Sequence, residues 1–251
     1  MAIPPKFIPS DLYDLYTMNG TIDLYDWYID ERTPIDKNTT LVWTNSLINS
    51  YINKFTFKNI YENKLLEESY KGASLDHVQA ISKYSEFIKN KDVAVIGSQR
   101  PWIEAILLNA GVKSVTTIEY NVPSGDNTII KTLSYDDFCI GDIKYDSIFS
   151  YSSIEHSGLG RYGDKLNPNG DMETMKHIYN ALNDNGRVFI GFPVGKDAIV
   201  WNAHRVYGEK RLKLLFSQFE EVEWMALDKS YIYNCQPQNN GPHPLIILRK
   251  K

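Results

Sequence analysis

From Ser74 onward the chain alternates short apolar runs with longer amphipathic stretches. Residues 92–119 read DVAVIGSQRPWIEAILLNAGVKSVTTIE. Residues 93–96 form an apolar run suited to a buried strand and too short for a helix. Gly97 follows at once, where a sharp turn favours a residue without Cβ. Pro101 fits the first turn of a helix, where no amide hydrogen is required. Trp102, Ile103, Ala105, Ile106 and Leu108 then supply an apolar helical face, and Gly111 closes it. Residues 115–118 give a second apolar strand that ends in Glu119. Strand, glycine turn, helix, strand and acid form the opening unit of a nucleotide-type α/β domain, with the acid about twenty positions beyond the glycine.

The same rhythm continues on both sides. A helix is predicted over 75–89 with Ser74 as its N-cap and Val78, Ile81 and Ile88 in its buried stripe. Beyond Glu119, residues 128–132 read as a short third strand and 135–138 as a loop or short helix. Residues 145–150 form a fourth strand. Met172, Met175, Ile178, Tyr179 and Leu182 have helical spacing, and 183–186 end that helix. Residues 188–192 make a fifth strand, 194–207 a loop, and 209–219 an amphipathic helix. Two closing strands, 222–225 and 244–248, predict an antiparallel edge. Before Ser74 the pattern is looser. Leu12, Tyr13, Leu15 and Tyr16 give one face of a short helix ended by Asn19 and Gly20. Residues 24–29 alternate aromatic and acidic, as in a lid or packed arm, and Thr33 and Pro34 break the chain. Residues 41–68 are ambiguous, with 61–68 helical through Leu65 and Leu66. The expectation is an α/β fold with a mainly parallel seven-stranded sheet over 74–251 and a partly helical extension over 1–73.

Composition narrows the classes. The chain has 251 residues, 43% of them hydrophobic, which suffices for one sizeable core. No apolar run reaches membrane-spanning length, and the start lacks the basic and apolar pattern of a signal peptide. The net charge of -4 argues against nucleic acid, and the 17 tyrosines are not gathered into a basic stripe. Cys139 and Cys235 are too few for a disulfide framework and fit a reducing, cytoplasmic compartment. KDVAVIG lacks the trailing Lys-Ser or Lys-Thr of a phosphate-gripping loop, so ATP hydrolysis is not expected.

Candidate chemistry gathers beyond the fourth strand, in YSSIEHSGLGRYGDKLNPNGD. Glu155, His156, Arg161 and Asp164 lie where open α/β sheets bind ligands, just past a strand's carboxyl end. His156 or His204 can take a proton near neutral pH, or each can brace its loop through backbone hydrogen bonds. Arg161 or Arg205 can orient an anionic substrate. Ser152, Ser153, Arg161, Asp164 and Asn202 together complement a small, hydroxyl-rich molecule such as a sugar or nucleotide-sugar. Glu155, His156 and His204 are metal-ligand types, but their spacing is not that of a metal motif, and no metal is expected.

These segments carry a family resemblance. SSIEHSG, NDNGRVFIGFP and EKRLKLLFSQFEEVEW resemble the segment after the fourth strand, the fifth strand with its turn, and the last helix with the sixth strand of class I S-adenosylmethionine-dependent methyltransferases. SSIEHSGLGRYGD together with NAHRVYG resembles the methyltransferase-like family known as domain of unknown function 268. The resemblance runs from about Ser74 to the carboxyl end. It implies S-adenosylmethionine as cofactor, with Gly97 as the loop glycine, Glu119 on the ribose hydroxyls and Asp136 or Asp137 near the adenine. Glu155 and His156 match the family's segment beyond the fourth strand. Glu119 can also be an ordinary surface acid at a strand end. Such a methyltransferase carries two or three glycines in its first loop, and this chain has Gly97 alone, so Arg100 can serve instead as partner of the cofactor carboxylate. Two functions remain open. One is methyl transfer to a hydroxyl of a small polar or sugar-containing acceptor. The other is a non-catalytic binding or assembly role on the same scaffold.

Overall fold

The computed structural model describes residues 3–31, 41–65 and 71–251. In chain order the elements are α1 (Tyr13–Tyr16), β1 (Asp23–Trp27), α2 (Asn45–Lys54), α3 (Phe57–Tyr61), α4 (Lys71–Lys83), β2 (Asp92–Ile96), α5 (Trp102–Asn109), β3 (Ser114–Glu119), β4 (Lys131–Ser134), α6 (Tyr135–Ile140), β5 (Tyr145–Tyr151), α7 (Gly170–Ala181), β6 (Leu182–Gly191), β7 (Ala198–Asn202), β8 (His204–Val206), α8 (Glu209–Leu215), β9 (Phe219–Met225), α9 (Tyr231–Asn234) and β10 (Leu245–Lys250).

Seven strands form one sheet in the order β4-β3-β2-β5-β6-β10-β9. β2, β3, β4, β5 and β6 are mutually parallel, and β10 runs antiparallel to both β6 and β9. This is the Rossmann-like, mainly parallel sheet with an antiparallel edge that the pattern predicts. Alternation within β2 sends Val93 and Val95 into the core under α4 and α5, while Ala94 and Ile96 enter the core under α7 and α8. Each face is thereby covered by helices, as the continuous apolar runs of parallel strands require. The N-terminal helix α2 packs on α5.

Several boundaries differ from the sequence reading. The third strand lies at 131–134 rather than 128–132, because the Asn127 side chain accepts from the Ile129 and Ile130 amides and holds them in a turn. α4 begins before Ser74 and stops at Lys83, and a short 3₁₀ turn, Ser85–Phe87, follows it. The polar residues 183–186 belong to β6 rather than ending α7. Helix does not continue through 62–65. The helices lie upstream, where the Thr44 and Thr56 hydroxyls cap α2 and α3 by accepting from Leu47 N and Asn59 N. Thr33, Pro34 and Leu66 lie outside the described residues.

The main correction concerns 194–207. It is not a loop but contains β7 and β8, which pair antiparallel in a second, three-stranded sheet. β1, within the aromatic-acidic stretch near the amino terminus, pairs parallel to β7, with Tyr25 opposite Val200. His204 and Arg205 look like loop residues by type, yet the whole of β7 and β8 is buried. His204 Nε2 and Arg205 Nη1 there meet backbone carbonyls of neighbouring segments.

Candidate functional site

A cleft of about 740 Å³ opens at the carboxyl ends of β2, β3 and β5. Residues 97–100 after β2 and 119–121 at the end of β3 make one side. Ser152, Ser153, Glu155 and His156 after β5 make the other, with Arg161, Tyr162 and Asp164 from the same long loop. His204 from β8, and Asn240 and His243 from the turn before β10, close the far end, and Glu31 and Leu41 reach in from the N-terminal region.

The first turn is built tightly. Gly97 has φ +77°, and a Cβ there would lie 1.8 Å from Ser153 Oγ. Ser98 Oγ donates to Glu104 Oε2 at 3.1 Å, and Thr117 Oγ1 donates to Glu104 Oε1 at 2.7 Å. Glu104 is fully buried, and loss of solvent pushes its carboxyl up to about 7. Glu119 accepts from its neighbour Tyr120 N at 3.0 Å and from the Ser98 amide. Burial is the main cause that pushes the Glu119 carboxyl up to about 7, and the charge of Glu104 adds to it. Arg100 lines this side. Asp136 and Asp137 are exposed in the first turn of α6, where the Ser134 side chain caps Asp137 N, and neither lines the cleft. Tyr135, one residue earlier, does line it, with its ring 4.5 Å from that of Tyr120.

On the opposite side, His156 Nδ1 lies 2.6 Å from the Ala203 carbonyl. A carbonyl only accepts, so Nδ1 carries the proton and Nε2 is the ring's acceptor. Nε2 faces Glu155 Oε1 at 3.6 Å. Burial first, and the Arg161 charge second, hold His156 neutral down to about 3. Burial pushes the Glu155 carboxyl the other way, up to about 7. Glu155 Oε2 is buried with no hydrogen-bond partner among the described residues. His204 Nε2 lies 2.9 Å from the Asn239 carbonyl and donates to it, which leaves Nδ1 as acceptor. Its ring meets those of His156 and Trp27 edge-on.

The other residues singled out by sequence divide between cleft and scaffold. Asp164 lines the cleft, but its oxygens accept from the amides of Gly158, Gly160 and Tyr162 and so brace the loop. Asn202 lies outside the lining, where its Oδ1 accepts from Ile29 N at 2.8 Å and ties β1's continuation to β7. Arg205 is fully buried outside the cleft. It donates to the carbonyls of Glu155, Ser157, Asn167 and Pro168 and faces Asp171, which also holds Arg211 through two hydrogen bonds. Arg205 therefore shapes the loop that carries Glu155 and His156. The sequence reading missed Glu31, Glu104, Tyr151, Tyr162 and His243. Only His243, beside the turn signal at Gly241 and Pro242, and Glu104, an acid on an apolar helix, left a local trace. Among the described residues no group of three or more His, Cys, Asp or Glu is placed to hold a metal ion.

A family model described as "Caenorhabditis protein of unknown function, DUF268" matches residues 90–239. No curated protein matches the chain. Among solved structures, the 1,6-didemethyltoxoflavin-N1-methyltransferase of Burkholderia thailandensis, with bound 1,6-didemethyltoxoflavin and S-adenosylhomocysteine, is 14% identical at a TM-score of 0.51. The match covers 82% of this chain and 87% of that one. The N-methyltransferase NodS of Bradyrhizobium japonicum WM9, in complex with S-adenosylhomocysteine, is 12% identical at a TM-score of 0.48, over 82% of this chain and 99% of that one. At 14% identity the likeness to the first of these is one of fold, that of class I S-adenosylmethionine-dependent methyltransferases.

Proposed function

The chain belongs to the DUF268 family, and on that premise we propose that it is an S-adenosylmethionine-dependent methyltransferase acting on a hydroxyl of a small polar or sugar-containing acceptor. The observation that carries this reading is one cleft that joins the Gly97 turn and Glu119 to the buried Glu155–His156 pair.

The residues present fit the cofactor. Glu119 offers carboxylate oxygens at the end of β3, suited to two neighbouring hydroxyls. Tyr120 and Tyr135, whose rings pack on each other at 4.5 Å, line the cleft and would border a flat base, the part the sequence assigned to Asp136 or Asp137. Arg100 suits the cofactor's carboxylate. When bound, S-adenosylmethionine supplies an electrophilic methyl group.

The remaining work falls to the protein. The acceptor's O–H has to lose a proton as its oxygen is alkylated. Of the three candidates, Glu155 is the best matched, because a base works best with its pKa near the operating pH, and burial brings Glu155 to about 7. Its carboxyl borders the cleft and would take the proton. His156, held neutral by its surroundings, is a weak base and a fixed neighbour for Glu155 Oε1. Asn240, His243, His204 and Arg161 supply donors and acceptors for a polyhydroxyl acceptor.

The second reading, a non-catalytic binding protein, draws on the single loop glycine and on Ser153 seated against it. Calorimetry with S-adenosylhomocysteine separates the two. Binding that weakens at least tenfold in Glu119→Ala, followed by methyl transfer to a member of a sugar and nucleotide-sugar panel, is the expected result. Absence of heat at millimolar ligand would leave the scaffold reading.

A further inference from the structure

Arg161 is a fixed part of the cleft wall, and its present partner is not. Its Nη1 donates to the Ala203 carbonyl at 3.1 Å, and its guanidinium lies 5.0 Å from the Tyr162 ring centre. The bond to Ala203 uses Nη1 and leaves the Nε–Nη2 edge for another partner. That edge is taken by the carboxylate of Glu31, with Nε to Oε2 at 2.8 Å and Nη2 to the same oxygen at 2.7 Å. Side-chain exposure is 15% for Arg161 and 46% for Glu31, so the cation is built in and the anion sits at the solvent side.

The backbone holds Glu31 in place independently of its carboxylate, since Glu31 N donates to the Arg161 carbonyl at 2.9 Å. Its side chain can therefore leave while its main chain stays. An exposed ion pair of this kind contributes little, and a guanidinium fork matches carboxylate and phosphate alike.

We propose that Glu31 occupies the position of an oxyanion of the acceptor, and that an acceptor bearing a carboxylate or phosphate binds Arg161 by displacing it. What the anion is attached to rests on the methyl-transfer reading. The binding itself does not, because it is measured without cofactor. The acceptor class thus narrows from sugars in general to acidic or phosphorylated ones, and Glu31 discriminates against neutral sugars, which cannot replace its charge on Arg161.

The test is calorimetry of the full chain with glucose, glucuronate and glucose 1-phosphate at matched ionic strength. At least one anionic sugar should bind about tenfold more tightly than glucose, the difference that one charge-assisted bidentate contact provides. Preference for glucuronate names a carboxylate as the source, and preference for glucose 1-phosphate a phosphate. Glu31→Gln should bind the preferred anion about threefold more tightly, as loss of a competing surface ion pair implies. Arg161→Met should lose the preference. Arg161→Lys, which keeps the charge, should retain part of it should the Met variant fold poorly. Equal binding of all three sugars by the wild type would overturn the anion site. Binding of the anion by Glu31→Gln no tighter than by the wild type would overturn the displacement.

Discussion

Ser153 Oγ occupies the space into which a side chain on Gly97 would project, 1.8 Å from the position of its missing Cβ. The loops after β2 and β5 thus meet at the one residue that has no side chain to keep them apart. Gly97→Ala should destabilise by about 1–3 kcal/mol in urea unfolding, from the collision and from its positive φ together. Ser153→Gly in the same chain should recover the steric part only. A double variant no more stable than Gly97→Ala would show that the conformational term is the whole effect.

Glu104 is buried among hydroxyl donors and titrates near 7, above the usual carboxylate range. Its folded form holds the proton that the unfolded chain releases near 4.5. Its contribution to stability is therefore complete below that value and is lost as pH rises through about 7. Glu104→Gln mimics the protonated carboxyl at every pH. The stability of wild type relative to this variant should fall between pH 4.5 and 7, by on the order of 3 kcal/mol. A difference that stays flat across this range would show that Glu104 is not proton-linked.

For Glu155 the expected effect is on turnover. Glu155→Gln should lower kcat by about 10²–10⁴ while leaving the affinity for S-adenosylhomocysteine within a factor of about two. In the wild type, kcat should rise with pH through about 7 as the carboxyl loses its proton. A pH profile that is unchanged in Glu155→Gln assigns the base elsewhere.

Arg205 should matter more for folding than its polar character suggests. Arg205→Met leaves Asp171 paired with Arg211 but strips donors from four loop carbonyls. The expected loss is about 3 kcal/mol by denaturant titration. Protease cleavage within 155–168 should also become faster than in the wild type. A melting curve unchanged from wild type would contradict the clamp.

Much of the large sheet was legible because its signals are local. Val93, Gly97, Pro101 and Glu119 each act within a few residues of their own position, and so do the apolar runs of β5 and β6. The third strand slipped because one side chain, Asn127, captures two amides that the apolar pattern assigns to a strand. The small sheet was hidden for a different reason. β1 is largely exposed and pairs with a strand far along the chain, so neither apolar periodicity nor a turn announces it. The site divides in the same way. Glu155 and His156 are conspicuous because they follow a strand's carboxyl end. Arg205 looks like a ligand-binding arginine because its partners, carbonyls of a distant loop, leave no mark on residue type. Glu31 acquires meaning only from the fold that brings it to Arg161.

The order β6-β10-β9 has a consequence for how the domain is made. β9 precedes β10 in sequence, yet reaches the large sheet only through it. A nascent chain that has emerged as far as Met225 carries β9 with no strand beside it, however well β2 to β6 have already paired. The half of the sheet that carries the Gly97 turn, Glu119 and Glu155 can settle early, since its strands are consecutive neighbours or nearly so. The edge must wait until residues 245–250 slide between two strands already synthesised. Until then the open side of β6, rich in Val188, Phe189 and Ile190, is an unpaired apolar border, and it is there that a stalled or truncated chain would be expected to aggregate first.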